Sequence, residues 1–224
     1  RENLVYQAAE KILNASGVQA NLKLTLYKNI PAGTGLGSAS SDSAATLIGV
    51  RKFLDLNVSD EEIHKLSVEL GSDVAFFLGG SQSFCSGRGE KIKEIDKIFE
   101  FAAVVVIPDV NCSTKEVYEN YKHNKSFYDQ FSSEIKGHIE KKRIDLAAKI
   151  CANMLETSCF KLHEELKKLK YKVESIAKPW CLSGSGSVMY TIMDRAELTR
   201  ARKIQNELKK RFFCDSRVVS NNRW

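Results

Sequence analysis

Apolar positions recur at helical spacing from the start of the chain. Leu4, Val5, Ala8, Ala9, Ile12 and Leu13 fall on one stripe and Ser16-Gly17 closes it, so residues 3–13 read as an amphipathic helix. The period then changes to two. Leu22, Leu24 and Leu26 alternate with Asn21, Lys23 and Thr25, which predicts a half-buried strand over 20–27. A glycine-rich stretch follows, and then a helix over 42–54 with Ala44, Ala45, Leu47, Ile48 and Leu54 available for packing. Ser59 and Glu62 form a capping-box pattern for a helix that turns Ile63, Leu66 and Leu70 inward and stops at Gly71. Asp73 opens an apolar segment over 74–78 that ends at Gly79-Gly80, and strands are predicted over 81–86 and, more strongly, 101–107. Beyond that point helices dominate: 115–121, 138–155 and 160–169. A Gly/Ser turn over 183–187 leads into a strand over 188–193, a helix over 196–208 carrying Ala201, Ile204 and Leu208 inward, and a last strand over 217–220. The pattern is an α+β fold in two domains, 1–110 and 111–224, with the boundary near residues 108–113.

Composition narrows this reading without changing it. A chain of 224 residues, 43% hydrophobic and 28% charged, can bury a core and suits an ordinary globular protein. No apolar run is long enough to cross a bilayer. The excess of 34 Lys and Arg over 28 Asp and Glu gives +6, but the basic residues interleave with acids on helical faces, so nucleic acid is not the expected partner. Such a balance also suits a substrate carrying phosphates. The six cysteines include no C-x-x-C pair and the four histidines are scattered, which argues against zinc and for reduced thiols in the cytoplasm.

The chemistry lies in Pro31-Ala32-Gly33-Thr34-Gly35-Leu36-Gly37-Ser38-Ala39-Ser40-Ser41. Glycines allow a sharp turn and close approach of a ligand to the backbone, and the first N–H groups of the helix that follows lack intrahelical partners. Loop and helix dipole together make an anion site, and Ser40 and Ser41 can cap the helix, bind phosphate or hold a magnesium-bound water. The spacing is neither that of a Walker loop, which needs a following lysine, nor the G-x-G-x-x-G of a dinucleotide fold. A tight turn with a serine cap fits the same residues. Asp73, likewise, is either a helix cap or a carboxylate placed to accept a proton.

The pattern P-x-x-x-G-L-G-S-x-S-S resembles the ATP-phosphate loop of the GHMP kinase superfamily. Other stretches match in the same order: Leu70-Gly71-Ser72-Asp73-Val74-Ala75-Phe76-Phe77-Leu78-Gly79-Gly80, Gly87-Arg88-Gly89-Glu90, Leu182-Ser183-Gly184-Ser185-Gly186-Ser187, and Asn3-Leu4-Val5 with Ala8-Ala9. Within the superfamily the Asp73 segment is most similar to that of the diphosphocytidyl-methylerythritol kinases. The resemblance implies a GHMP kinase fold: an N-terminal α/β domain of the ribosomal protein S5 domain 2 type and a ferredoxin-like C-terminal domain, with the site between them. It implies transfer of the γ-phosphoryl of ATP, with Mg2+, to the 2-hydroxyl of a cytidine-diphosphate-linked methylerythritol in non-mevalonate isoprenoid synthesis. The partner is thus a small molecule, with no nucleic acid and no membrane; oligomeric state and magnesium ligands are not specified. A mevalonate or homoserine type of kinase, or a non-catalytic nucleotide-binding relative, stays open.

By the same resemblance Asp73 is the catalytic aspartate, Asn3 and Lys28 meet the adenine end of ATP, and Gly184, Ser185 and Gly186 approach the transferring phosphate. Phe160, after Asn153-Met154-Leu155-Glu156, stacks on the cytosine ring, and Lys115 in Ser113-Thr114-Lys115-Glu116 meets a substrate phosphate. Each has a plainer alternative: a helix cap for Asn3, a strand-end surface lysine for Lys28, a turn for the glycines, a core ring for Phe160 and a helix-surface residue for Lys115. Family members carry an earlier strand with a lysine, followed by D-G-Y-H, which this sequence does not contain. The expectation is a shortened N-terminal domain with an unpaired sheet edge, and weak or absent kinase activity for a polypeptide beginning at Arg1.

Overall fold

A computed structural model describes residues 3–80, 82–87, 89, 91–96 and 99–221. The chain forms two compact units, Arg1–Ala32 with Gly37–Asp96, and Gly33–Leu36 with Lys97–Trp224. This differs from a boundary near 108–113, because the strand at 101–106 pairs with strands from the end of the chain.

The first unit is built on three helices, α1 (Leu4–Ser16), α2 (Ser38–Phe53) and α3 (Asp60–Leu70). Each end has a local cause. The Asn3 side chain accepts the Val5 N–H at 2.9 Å, and Gly17, at φ 69°, ends α1 in the left-handed region. Ser59 accepts the Glu62 N–H at 3.2 Å to start α3. The core gathers Ala8, Ile12, Leu47, Ile63, Leu66 and Val74. Ser43 is fully buried and donates to the Leu4 carbonyl at 3.2 Å, so α1 and α2 approach closely without an orphaned hydroxyl. A 3-10 turn (Ala75–Leu78) leads to an antiparallel hairpin, β1 (Ser83–Ser86) and β2 (Lys91–Glu94), whose last residue accepts the Gly80 N–H at 2.8 Å.

Several expectations change here. Residues 20–27 are not a strand: among the described residues no segment pairs with them, and a strand owes its stability to a partner. Their alternation survives only as partial burial, with Leu22 packed on the core and Leu24 and Leu26 exposed. Helix α2 begins four residues earlier than predicted, and its inward face is Ser43, Ala44, Leu47 and Val50, while Ala45 and Ile48 face outward. The predicted start of the first hairpin strand at Ser81 lies outside the described residues, as do Arg88 and Glu90 of the G-x-G-E motif. Strand β2, polar at three of its four positions, was not expected.

The second unit is a four-stranded antiparallel sheet with helices. In chain order it contains β3 (Phe101–Val106), α4 (Thr114–Glu119), α5 (Lys125–Glu140), α6 (Ile144–Lys149), α7 (Glu156–Leu162), α8 (Glu164–Glu174), β4 (Cys181–Leu182), β5 (Met189–Asp194), α9 (Leu198–Phe212) and β6 (Ser216–Ser220). The sheet order β4-β5-β3-β6 is the ferredoxin-like arrangement. Strand β3 is interior, which explains its unbroken apolar run. Ala102, Val104 and Val106 enter the main core with Trp180, Met189 and Leu208, while Val105 joins Ile107 and Val188 on the other face. Helix α9 buries the predicted Ala201, Ile204 and Leu208.

The predicted helix over 138–155 is instead the end of α5, a turn in which Lys142 adopts φ 55°, the short α6 and an irregular segment. No glycine marks that left-handed residue, so the break has no sequence signal. The helix over 160–169 is interrupted at His163. The expectation of reduced thiols is also corrected: Cys151 and Cys181 form a disulfide. The fold brings the segment after α6 beside β4, with the two Cα atoms 5.2 Å apart, inside the range a disulfide spans. Cys85, Cys112, Cys159 and Cys214 are free.

Leu208 is fully buried in the second unit's core. Leu208→Ala should lower the unfolding free energy by about 2–5 kcal/mol, read as a reduced midpoint in urea with unchanged slope.

Candidate active site

The glycine loop is held by backbone contacts on its second-unit side. Residues 33–36 are stitched to that unit by three hydrogen bonds: Cys112 N–H to the Gly33 carbonyl at 3.2 Å, Val188 N–H to the Thr34 carbonyl at 3.1 Å, and the Ser183 hydroxyl to the Gly35 carbonyl at 2.9 Å. Gly35 has φ 73°, and a Cβ there would sit 1.9 Å from the Ser183 carbonyl oxygen. Only a residue without a side chain fits this approach.

The late glycine motif is the other half of the contact. It forms the turn between β4 and β5, with Gly184 at φ 52° and Gly186 at φ 93°. Asn153 supports it from outside: its side-chain amide donates to the carbonyls of Leu182 at 2.9 Å and Gly184 at 2.8 Å, and its oxygen accepts the Leu155 N–H at 2.8 Å. All three bonds of one amide thus serve to hold the turn against the start of α7. Ser185 is buried and shares a hydrogen bond with Thr114 at 2.9 Å. A Cβ on Gly186 would meet the Cys159 sulfur at 2.8 Å. The Cys112 and Cys159 sulfurs lie 3.9 Å apart, and that contact first, then burial, pushes the Cys159 thiol upward, so it stays neutral packing material.

On its first-unit side the loop ends at Gly37, at φ 65°, which precedes α2 with no side-chain cap on the helix. A Cβ on Gly37 would meet the Phe77 ring at 2.9 Å, so the 3-10 turn that follows Asp73 lies against the loop exit. Ser41 N–H closes the first helical bond to the Gly37 carbonyl at 2.9 Å. The helix geometry thus leaves the N–H groups of Ser38, Ala39 and Ser40 without intrahelical acceptors. Lys28 donates to Ser38 at 3.2 Å and pairs with Asp42 at 2.5 Å, bracing the first turn of α2.

Asp73 is exposed. The residue before the 3-10 turn is Val74 and no side chain caps it, so Asp73 does not serve as the helix cap that its position in the sequence also allowed. Its Oδ1 lies 3.5 Å from the Ser72 hydroxyl. Burial first, and the Asp73 charge second, raise the pKa of the Cys85 thiol.

The other expected site residues have plainer surroundings. Asn3 caps α1. Lys115 is exposed and pairs loosely with Glu119 one turn along α4, at 3.9 Å. Phe160 is half-buried, packed against the core, with the Lys170 ammonium 5.8 Å from its ring centroid. Tyr118, one turn along α4 from Thr114, is an aromatic ring at 60% exposure. In the sequence Asn153 stands out only as part of the Asn153-Met154-Leu155-Glu156 motif. Its role needed the distance to the turn, 31 residues away.

The sequence model described as GHMP kinases N terminal domain matches residues 3–81, the stretch that contains both the loop and Asp73. A 4-diphosphocytidyl-2-C-methyl-D-erythritol kinase of Clostridium novyi (strain NT) is 30% identical over 211 residues, covering 94% of this chain and 75% of that protein. The protein of the same name from Syntrophomonas wolfei is 33% identical over 228 residues, covering 97% and 77%. This chain belongs to the 4-diphosphocytidyl-2-C-methyl-D-erythritol kinase family. Among solved structures, a 4-(cytidine 5'-diphospho)-2C-methyl-D-erythritol kinase superposes with a TM-score of 0.72 at 25% identity, over 100% of this chain and 80% of that one. A homoserine kinase from Cytophaga hutchinsonii gives 0.74 at 15% identity, over 99% and 76%, a likeness of fold alone.

For this family member the loop contacts set two expectations. Gly35→Ala should destabilise the protein by about 2–4 kcal/mol, measured by chemical denaturation, because it combines a left-handed backbone with a collision against a carbonyl. Asn153→Ala leaves two carbonyls without their donor and should cost about 1–2 kcal/mol, with faster amide exchange at residues 182–186.

Proposed function

We propose that the chain phosphorylates the 2-hydroxyl of 4-diphosphocytidyl-2-C-methyl-D-erythritol with ATP, in the cytoplasm, as a step of non-mevalonate isoprenoid synthesis. The observation that carries this reading is the start of α2. A 16-residue helix begins with no side-chain cap directly after a loop of three left-handed glycines. Its first N–H groups and the helix dipole favour a polyanion, and the triphosphate of ATP is the polyanion the family uses.

In this reading residues 31–41 wrap the phosphates with backbone N–H groups, and Ser40 and Ser41 add hydroxyls. Among the described residues no three His, Cys, Asp or Glu side chains gather to hold a metal ion. Mg2+ would arrive with the phosphates, and Ser40 and Ser41 are the hydroxyls that could hold one of its waters. When bound it neutralises charge on the transferred group. Asp73 orients the acceptor hydroxyl and accepts its proton, and its exposed carboxylate is open to a ligand. Gly184, Ser185 and Gly186 present backbone to the transferring group. Lys115, bound only loosely to Glu119, turns to a phosphate of the acceptor. On exposure Tyr118 suits a base better than Phe160 does.

The names of the relatives at 30% and 33% identity favour this acceptor over mevalonate or homoserine, since the likeness to homoserine kinase is one of fold. The test is a panel in which the full polypeptide and ATP are offered the cytidine-linked methylerythritol, mevalonate and homoserine, with products read by phosphorus NMR. Phosphorylation of the first alone is expected. Turnover of mevalonate or homoserine instead would replace the acceptor, and nucleotide binding without turnover of any would make the protein a non-catalytic relative. Asp73→Asn should lower kcat by about 10²–10⁴-fold while ATP affinity changes less than about threefold.

A further inference from the structure

A cavity of about 810 Å³ lies in the second unit, walled by the segment leading into α5 and by the start of α7. Lys122, Lys125 and Lys161 line it, with His123, Phe127 and Asn153. None of the three lysines pairs with an acid among the described residues, whereas neighbouring lysines do: Lys115 with Glu119, Lys168 with Glu164, Lys170 with Glu156. The one acidic side chain in the wall, Glu156, is held through both oxygens by Lys170 at 2.7 Å. Among the described residues the wall therefore carries three ammonium groups without an acidic partner. Lys125 also opens α5, a 16-residue helix, so the positive end of its dipole adds to the same field.

Like charges around a concavity repel one another unless an anion enters. Lysine ammoniums are point charges that suit phosphate from any direction, and the volume falls in the roughly 300–1,000 Å³ range of small-molecule sites, too large for a bare ion. Phe127, partly exposed, offers an apolar wall for the rest of such a molecule. We propose that this cavity binds a phosphorylated small molecule. Asn153 is part of its wall and also holds the Leu182 and Gly184 carbonyls, so occupancy bears directly on the turn that packs against Gly35. The phosphates are either those of the acceptor substrate or those of a separate effector. The binding claim does not depend on the proposed function; only that choice of source does.

The test is calorimetric titration of the full polypeptide with inorganic pyrophosphate at low salt, with and without a saturating non-hydrolysable ATP analogue to fill the loop. Saturable binding that survives the analogue is expected. It should weaken roughly tenfold or more in the triple variant Lys122→Ala, Lys125→Ala, Lys161→Ala, and not in the charge-matched control Lys203→Ala, Lys209→Ala, Lys210→Ala on α9. All six positions are exposed, so folding should be unaffected. A rise in acceptor KM in the first variant assigns the phosphates to the acceptor. An unchanged KM with loss of a pyrophosphate effect on kcat assigns them to an effector. No saturable binding by the wild type, or binding by the first variant within twofold of it, overturns the site. Failure of ATP turnover would instead sink the kinase reading, while the comparison of wild type with the two triple variants still tests the cavity.

Discussion

Gly35 and the turn after β4 touch backbone to backbone, with no side chain between them. The Ser183 carbonyl occupies the place where a Cβ of Gly35 would stand, the Ser183 hydroxyl returns a hydrogen bond to the Gly35 carbonyl, and a Cβ on Gly184 would lie 3.1 Å from that same oxygen. Such contacts are stiff, because carbonyl and amide have no rotamers to adjust. Any added atom must displace main chain. Two glycine motifs separated by well over a hundred residues of sequence are thus mutually dependent.

How α2 begins sets which of its backbone groups stay free. A helix closed by a serine or aspartate side chain would spend its first N–H groups on its own cap. Here Gly37 occupies the cap position, and its left-handed backbone turns the chain without offering an acceptor. Lys28 supports the same turn from the side, through Ser38 and Asp42. The Phe77 ring against Gly37 brings the end of the Asp73 segment to the loop exit within one unit.

The second unit contributes by holding, with little reactive chemistry of its own. Asn153 grips the turn at two carbonyls, the Cys151–Cys181 disulfide ties the residues just before Asn153 to the strand just before the turn, and Cys112 and Cys159 fill the space beneath Gly186. A polar clamp, a covalent tie and apolar packing converge on five residues. A cavity with an unbalanced positive wall opens directly beside that clamp.

The sequence alone determined the helix faces of α1, α3 and α9, the central strand β3, the glycine loop with its helix, and Asp73. Periodicity, caps and glycine spacing act within a few residues, and such signals can be read locally. It also carried the family, because the loop and the Asp73 segment are contiguous motifs. Tertiary structure decided what depends on partners distant in the chain. Residues 20–27 had the alternation of a strand but no ladder partner among the described residues. Strand β3 belongs to the second unit because β5 and β6 pair with it. Phe160 is half-buried because α7 packs it against the core, and Cys151 meets Cys181 because the segment after α6 lies beside β4. Asn153 became legible only when the fold brought its amide within hydrogen-bonding distance of two carbonyls, since nothing in a single side chain's identity states where its partners will be.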